Sequence, residues 1–374
     1  MKIFQIVENL HKGAVENWLV RTFIEINRIK PDWEWTFFCV YNDHGNLDEI
    51  VLENGGKIIK SEVSISNKFT FLSNLRKTIR EGDYNVIHAH HDYLNAYYLF
   101  AFWGLGAFKI SQIHNTDKHL PIKSRLGNLL LIPFFKLINN IGYDFLVGIS
   151  SETIKEFKIK RKGDCNKDIL YYGIDIRKYQ DKSTSRAEIF SDNQLPDDSI
   201  LLLFIGRFTV LKNPSFVLDI LNEFRTRGDE RFYAFFIGEG DGLLTINEKL
   251  AKFNLFDKVR IIGWVDNPEK YLQVADFFIF PRMLKPTEGF GMVMLEAQAA
   301  GIDTIVSKGV LEETIVCDDL VHVMDNVTNP SEWADKILEV HSRTAPINSE
   351  EKLITSRFNI VNSIHSLINL YEFQ

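Results

Sequence analysis

The chain has 374 residues, of which 45% are hydrophobic, and its 43 lysines and arginines against 50 aspartates and glutamates give a net charge of −7. This length favours two domains, since a domain usually has about 100–200 residues, and the composition is typical of a globular protein with a sizeable core. The negative balance argues against general nucleic-acid binding, and three widely spaced cysteines outside any CxxC pattern argue against a disulfide framework or a structural zinc.

Short apolar runs alternate with segments of helical spacing through the first half of the chain. The N-terminal run KIFQIV is too short for a signal peptide and predicts a strand. The predicted strands are 2–7, 34–40, 57–60, 85–90, 108–114, 144–150 and 168–172, and the segments of helical spacing are 14–29, 68–81 and 122–140. The longest apolar stretch, 126–150, is broken by Pro133, Lys136 and Asp144, so it falls short of the roughly 20 apolar residues of a spanning helix.

The same alternation restarts after a polar segment, 180–199, which predicts a linker with one short helix. The second set of predicted strands is 200–206, 231–238, 258–265, 276–280, 303–307 and 320–324. This pattern predicts an α/β fold with two Rossmann-like, doubly wound domains, over 1–178 and 179–356. The amphipathic segment 357–374 is expected to form a helix that packs back on the first domain.

Ligands of doubly wound sheets bind beyond the carboxyl ends of the strands, so the residues that follow each strand are candidates for function. In the first half, Gly13 precedes a helix and would let a phosphate approach backbone amides, although an ordinary turn glycine is the more frequent explanation. His88 and His90 alternate on one strand, where a hydrogen-bonded structural histidine is the alternative, and His114 ends the next strand. No zinc spacing is present, so no metal site is expected.

In the second half, a buried strand ends at Gly206 and Arg207, and Lys212 follows five residues later. Two cations at a ligand-binding edge suit a diphosphate, with two solvated loop charges as the alternative. Gly238 and Gly263 end two further strands and are weaker signals of the same kind.

The segment PTEGFGMVMLEAQAAG, residues 286–301, places two glutamates eight positions apart in an apolar context. Residues 292–301 predict a helix that Gly301 ends as a C-cap, and Glu296 is its one charge. A lone carboxylate on a buried helix needs a polar partner. Glu288 lies in the preceding loop, beside backbone amides that would bind an anion at the helix N-terminus.

The segment EGFGMVMLEAQAAG resembles the E-x7-E signature of group 1 (family 4) retaining glycosyltransferases, which have the GT-B architecture of two Rossmann-like domains facing a central cleft. Other motifs resemble those of the family and occur in the same order along nearly the whole chain: Gly13 with Ala14, the VIHAH strand, His114, YYGID at 171–175, Gly206-Arg207 with Lys212, IGEG at 237–240 and IIGWV at 261–265.

The resemblance implies a role for each of these positions. Arg207 and Lys212 would hold the diphosphate of a nucleotide-sugar donor, and the amides of Gly291, Met292 and Val293 would assist them. Glu296 would bind the ribose, Glu288 the hydroxyls of the transferred sugar, and His114 would lie near the reacting centre. The remaining donor contacts would come from the Gly13 loop and from Ala14, Gly206, Gly238, Gly263, Trp264, Val265, Gly289 and Phe290.

The expected function is therefore metal-independent, cofactor-free transfer of a hexosyl or N-acetylhexosaminyl group, with UDP-sugars favoured as donors. The acceptor would be a glycan or lipid-linked saccharide of a bacterial capsule, O-antigen or exopolysaccharide. Three alternatives are a GT-B sugar-nucleotide epimerase, a non-catalytic nucleotide-sugar-binding partner and a glycosidase. The glycosidase is disfavoured because eight residues of continuous helix would separate the carboxylates by about 12 Å.

The acceptor side carries the candidates His88, His90, Lys118 and Lys123 in the first domain. Basic residues around the apolar segment after His114 suggest peripheral contact with the cytoplasmic face of the membrane, with an ordinary core helix as the favoured alternative. The expected location is the cytoplasm. The lead-in from Pro281 to Glu288 is longer than the usual pattern of the family, so Arg282 or Lys285 is expected to contribute to donor or acceptor selection.

Overall fold

The chain forms two compact units, Met1–Gly173 with Ile360–Gln374 and Ile174–Asn359, called the first and the second unit below. The computed structural model describes residues 1–11, 13–115, 125–157, 169–181, 184–285, 288–343 and 349–372, without the side chains of 125–130. In these ranges no helix combines the length and the hydropathy that crossing a bilayer requires.

The first unit is built on a six-stranded parallel sheet with the order β3-β2-β1-β4-β5-β6. Its strands are β1 (Lys2–Val7), β2 (Glu34–Cys39), β3 (Lys57–Lys60), β4 (Val86–Ala89), β5 (Phe108–Ile113) and β6 (Phe145–Gly148). Its helices up to that point are α1 (Ala14–Ile29), α2 (Asp48–Glu53), α3 (Lys68–Gly82), α4 (Asn95–Phe102), α5 (Arg125–Gly142) and α6 (Ser151–Phe157). The central strands are almost completely buried, as expected of a parallel sheet covered on both faces.

The second unit repeats this topology, with the strand order β12-β11-β10-β7-β8-β9. Its strands are β7 (Ile200–Ile205), β8 (Phe232–Ile237), β9 (Val259–Gly263), β10 (Phe277–Phe280), β11 (Asp303–Ser307) and β12 (Val321–Met324). Its helices are α7 (Arg177–Gln180), α8 (Arg186–Asp192), α9 (Phe216–Thr226), α10 (Leu243–Phe253), α11 (Glu269–Leu272), α12 (Met292–Ala300), α13 (Pro330–His341) and α14 (Glu350–Ile354). The apolar runs of β7, β8 and β10 form the buried centre of this sheet.

In both sheets the direction of winding reverses between two neighbouring strands, β1 and β4 in the first and β7 and β10 in the second. Such a topological switch point opens a crevice at the carboxyl ends of the two strands. The loops after β1, β4, β7 and β10 are therefore the ones that the fold places at a potential ligand site.

The last helix, α15 (Ile360–Glu372), belongs to the first unit and packs on α1. The indole Nε1 of Trp18 donates to Ser363 Oγ at 3.1 Å, and the ring of Tyr371 is fully buried. The amphipathic pattern of the segment thus corresponds to a helix whose apolar face completes the core of the first unit.

The doubly wound α/β prediction is confirmed, while the strand predicted at 168–172 is wrong. Ile169 makes only an isolated bridge with Gly148, and residue 168 lies outside the described ranges. The chain does not continue as a ladder because it passes beneath the last helix at Gly173, where an added Cβ would lie 2.5 Å from the Cα of Ile360.

The predicted C-cap of α12 is confirmed, because Gly301 ends that helix with φ of 73°. Gly291 precedes the helix with φ of 80°, a left-handed conformation that a residue with a Cβ adopts only with strain. Two glycines therefore fix where α12 begins and ends.

Candidate functional site

The carboxyl edge of the second sheet is closed by tight contacts between the loops that follow β7 and β8. The amide of Gly206 donates to Ile237 O at 3.0 Å, and the amide of Gly238 donates to Gly263 O at 2.9 Å. A Cβ on Gly238 would lie 2.1 Å from Gly206 O, and its φ is 131°. The predicted glycines at these strand ends are thus brought together, and at Gly238 only a glycine fits.

The turn after β9 lies beside the loop that follows β8, because the amide of Gly238 donates to Gly263 O. Gly263 has φ of 79°, Trp264 is 52% exposed, and Val265 is half-buried. An exposed indole next to an open backbone turn offers a flat surface against which a planar base could lie.

The loop after β7 carries the two predicted cations. Arg207 is exposed and Lys212 is half-buried, with its Nζ 4.8 Å from the centroid of the Phe280 ring. The loop is tied to the segment after β10, because the amide of Met283 donates to Leu211 O at 2.8 Å. Two loops from the switch point are therefore joined by a backbone hydrogen bond.

Glu288 lies between two cations at this switch point. Its Oε1 is 2.8 Å from Lys212 Nζ, and its Oε2 accepts from Arg282 Nε at 2.6 Å. Its own amide donates to Gly309 O at 2.9 Å, which fixes the backbone from the side of β11. Lys212 and Glu288, both predicted from the sequence, thus form a direct ion pair, and Arg282 joins them.

The electrostatics of this cluster leave an excess of positive charge. Burial alone raises the pKa of Glu288, but the charges of Lys212 and Arg282 outweigh it and hold that pKa below its ordinary value. Burial lowers the pKa of Lys212, and Arg282 and Arg207 act in the same direction, against the attraction of Glu288. Lys212 and Arg282 contact the carboxylate and Arg207 acts on Lys212, so these four groups together carry a formal charge of +2, which suits a dianionic ligand.

Helix α12 begins immediately beside the cluster. Gly291 precedes it, and Cγ of Glu288 lies 3.2 Å from the position that a Cβ on Gly291 would take, so the side chain of Glu288 runs close to the helix start. The first-turn amides of Met292 and Val293 point out of the helix N-terminus, where partial positive charge favours an anion. Gly289 is half-buried, Phe290 is buried against Phe358, and Glu296 is half-buried rather than enclosed as predicted.

The predicted residues of the first unit lie at its own switch point, in a chain of buried hydrogen bonds. Gln5 Nε2 donates to Tyr371 Oη at 2.7 Å, and that hydroxyl lies 2.8 Å from His88 Nδ1. Gln5 Oε1 lies 2.8 Å from His90 Nε2, and His90 Nδ1 lies 3.0 Å from His114 Nε2. The hydroxyl of Tyr172 completes the chain at His114 Nδ1.

The orientation of Gln5 fixes the protonation of this chain. Because the amide oxygen of Gln5 can only accept, His90 Nε2 carries hydrogen, and its Nδ1 then accepts from His114 Nε2. His114 Nδ1 is left to accept from Tyr172. Burial lowers the pKa of His114 to about 3 and holds the pKa values of His88 and His90 well below the ordinary value, so all three rings are neutral.

These contacts correct the acceptor candidates. His88 and His90 are buried and bonded within the first unit, which makes them core histidines rather than acceptor contacts. Both ring nitrogens of His114 are occupied, so a sugar could reach one only after a bond to His90 or Tyr172 opens. Lys118 and Lys123 lie outside the described residues.

The loop after β1 and the start of α1 occupy the same edge. Gly13 is the N-cap of α1 with an extended backbone, and Ala14 is the first helical residue. A Cβ on Gly13 would lie 2.1 Å from Oε2 of Glu16, a flexible side chain. The glycine is therefore compatible with a close ligand approach but is not demanded by its backbone conformation.

Asp92 was not identified by sequence reasoning, yet it holds the loop that follows β5. Its Oδ1 accepts from the amide of His114 at 2.6 Å, and its Oδ2 accepts from Asn115 Nδ2 at 2.8 Å. It adopts φ of 51°, and burial raises its pKa to about 6. Gln5 and Tyr371 were also missed, because they are 366 positions apart and no local pattern connects them.

Residues 185–356 match the model of the glycosyl transferases group 1 family. The chain is 23% identical over 380 residues to EpsF of Bacillus subtilis, covering 99% of this chain and 96% of that relative. It is 21% identical to CapH, a capsular polysaccharide biosynthesis glycosyltransferase of Staphylococcus aureus, covering 99% of this chain and 98% of CapH. These matches support a group 1 glycosyltransferase.

The fold of this chain is GT-B. HepE of Anabaena, solved in complex with UDP, matches it with a TM-score of 0.79 at 15% identity over the whole of both chains. A second HepE structure, with UDP-glucose, gives 0.79 at 14% identity. At such identity the likeness concerns the fold, which in this chain consists of the two units with six-stranded parallel sheets described above.

Proposed function

We propose that this chain is a retaining family 4 glycosyltransferase that moves a hexosyl or N-acetylhexosaminyl group from a UDP-sugar to a glycan or lipid-linked saccharide. The observation that carries the proposal is the cluster in which Lys212 and Arg282 bind Glu288 and Arg207 acts on Lys212, at the switch point of the second sheet and at the start of α12. Its formal excess of two positive charges matches the two negative charges of a sugar-nucleotide diphosphate.

The proposal assigns a role to most of the predicted site residues. Lys212 and Arg207 neutralise the diphosphate and stabilise the charge that develops on it as the bond to the sugar breaks, together with the amides of Met292 and Val293. Glu288 accepts hydrogen bonds from hydroxyls of the transferred sugar, and Glu296 from those of the ribose. His114 is proposed to contact the transferred sugar.

The choice of UDP is supported by HepE, whose structures contain UDP and UDP-glucose. A place in the assembly of a surface polysaccharide is supported by CapH, which is named for capsular polysaccharide biosynthesis. The proposed reaction uses no metal ion, because the protein's own cations compensate the diphosphate. Cytoplasmic location, with peripheral membrane contact, remains part of the proposal.

The decisive experiment measures donor binding and transfer separately. Thermal shift with a panel of UDP- and GDP-sugars should show stabilisation by a UDP-sugar, since bound ligand stabilises by RT ln(1 + [L]/Kd). Lys212→Ala should weaken UDP binding, whereas Glu288→Gln should preserve UDP binding and lower kcat about 100-fold, as expected when a charged hydrogen bond to the reacting sugar is weakened. Transfer should persist in EDTA.

Arg231→Met is the matched control, because its arginine pairs with Asp229 at the opposite, amino-terminal end of β8. It should bind UDP and transfer sugar as the wild type does. If Lys212→Ala and Glu288→Gln turned over donor normally, the site assignment would be wrong. Release of an epimerised nucleotide sugar without transfer would instead support the epimerase alternative.

A further inference from the structure

Arg282 differs from the other cations of the site in how firmly it is held. It is the second residue after β10 and is 5% exposed. Its Nη1 donates to Met283 O at 2.8 Å, and its carbonyl oxygen accepts from the hydroxyl of Ser307 at the end of β11. The planar guanidinium therefore approaches Glu288 from a position fixed by two neighbouring strands.

Lys212 holds the same carboxylate in a different way. Its ammonium stands at the end of a flexible four-carbon stem in the loop after β7, and it contacts the other oxygen of Glu288 at 2.8 Å. Lys212 is also the proposed diphosphate ligand. An arriving diphosphate and Glu288 therefore attract the same ammonium group.

We propose that Arg282 is a positioning residue that holds the carboxylate of Glu288 ionised and in place while Lys212 turns toward the donor diphosphate. This inference rests on the proposed function of the site. With the Arg282 bond intact, Glu288 keeps one charged partner throughout and presents its other oxygen to the hydroxyls of the sugar. Without Arg282, Lys212 is the one cation among the described residues left in contact with Glu288, and the carboxylate competes with the diphosphate for it.

The groups that face Glu288 define what a substitution should change. Lys212 faces it from the loop after β7 and Arg282 from the end of β10, while Arg207 lies near enough to affect Lys212. In the part of the chain that the structure describes, Arg282 is one of two opposite charges in contact with the carboxylate, and losing such a charge typically displaces a carboxyl titration by about 1–3 pH units. The acidic limb of the transfer rate should move to higher pH accordingly.

The test is a double-mutant cycle of Arg282→Met and Glu288→Gln, with transfer kinetics and UDP binding measured for each variant. Arg282→Met alone should lower kcat/KM for the donor about 10–100-fold, as expected for a lost hydrogen bond to a charged group. In the Glu288→Gln background the same substitution should change kcat/KM for the donor less than threefold, because its effect passes through Glu288. Losses that multiply fully would overturn the proposal.

A second readout does not depend on activity. The Glu288 carboxyl can be titrated by NMR with ¹³C-labelled glutamate and assigned by its absence in Glu288→Gln. Its midpoint should rise in Arg282→Met and stay in place in Arg231→Met. Arg282→Lys retains a buried cation and should give a smaller rise, so it serves as the test variant if Arg282→Met does not fold. An unmoved midpoint overturns the positioning role even if UDP-sugars bind, whereas a moved midpoint without any nucleotide binding overturns only the proposed function.

Discussion

The buried His91 should make the free energy of unfolding of this protein fall at acidic pH. His91 is buried, its Nδ1 is bonded to the hydroxyl of Tyr98, and burial lowers its pKa to about 4. In an unfolded chain the imidazole pKa is about 6.5, so between about pH 6.5 and pH 4 His91 is protonated in the unfolded state and neutral in the folded state. The free energy of unfolding therefore falls as the pH falls from about 6.5 toward 4.

The size of the effect follows from the displacement of the pKa. A difference of about 2.5 pH units corresponds to about 3.4 kcal/mol below pH 4, at about 1.36 kcal/mol for each unit. Between pH 7.5 and pH 5 the part contributed by His91 is about 2 kcal/mol. His88, His90 and His114 act in the same direction, whereas Asp92, whose pKa burial raises, acts in the opposite one.

The assay is urea denaturation of the wild type and His91→Gln at pH 7.5 and at pH 5, followed by circular dichroism. His91→Gln should lose about 2 kcal/mol less than the wild type between the two pH values, because the imidazole that the unfolded wild type protonates is absent from the variant. His365→Gln, which changes an exposed histidine on α15, is the matched control and should behave like the wild type. Equal losses in His91→Gln and the wild type would refute the claim that folding keeps His91 neutral.

Two further substitutions test the close contacts at the switch points. Gly238→Ala places a Cβ 2.1 Å from Gly206 O at φ of 131°, so we expect a lower melting temperature and loss of UDP-induced stabilisation. Gly228→Ala is the control, because φ is also positive at Gly228 but no atom lies within 4 Å of the added Cβ. It should lower stability but leave the stabilisation by UDP intact. Tyr371→Phe removes the hydroxyl that joins Gln5 to His88, so the buried Nε2 of Gln5 and Nδ1 of His88 each lose a hydrogen bond. The free energy of unfolding measured by urea titration should fall by about 1–3 kcal/mol. An unchanged value would show that these atoms find other partners.

The sequence by itself determined the α/β class, because the length and spacing of its apolar runs admit little else. Parallel strands buried on both faces need continuous apolar residues, and LLLFI in β7 or FFIF in β10 meets that need without any distant partner. It also predicted that Lys212, Glu288 and the start of α12 lie near the sheet edge, because the loops that follow buried parallel strands begin there. The end of α12 at Gly301 was likewise a local property of the chain.

Tertiary structure decided which of these groups meet and in which state. The sequence does not show that Arg282 and Lys212, 70 positions apart, bind the two oxygens of one carboxylate, since that depends on the order of β7 and β10 in the sheet. Nor does it show that His88 is a core residue, because its partner Tyr371 comes from a helix 283 positions away. Hydrogen bonds and burial act over a few ångströms between groups that only the folded chain brings together, so the charge states and contacts of the site are properties of the fold.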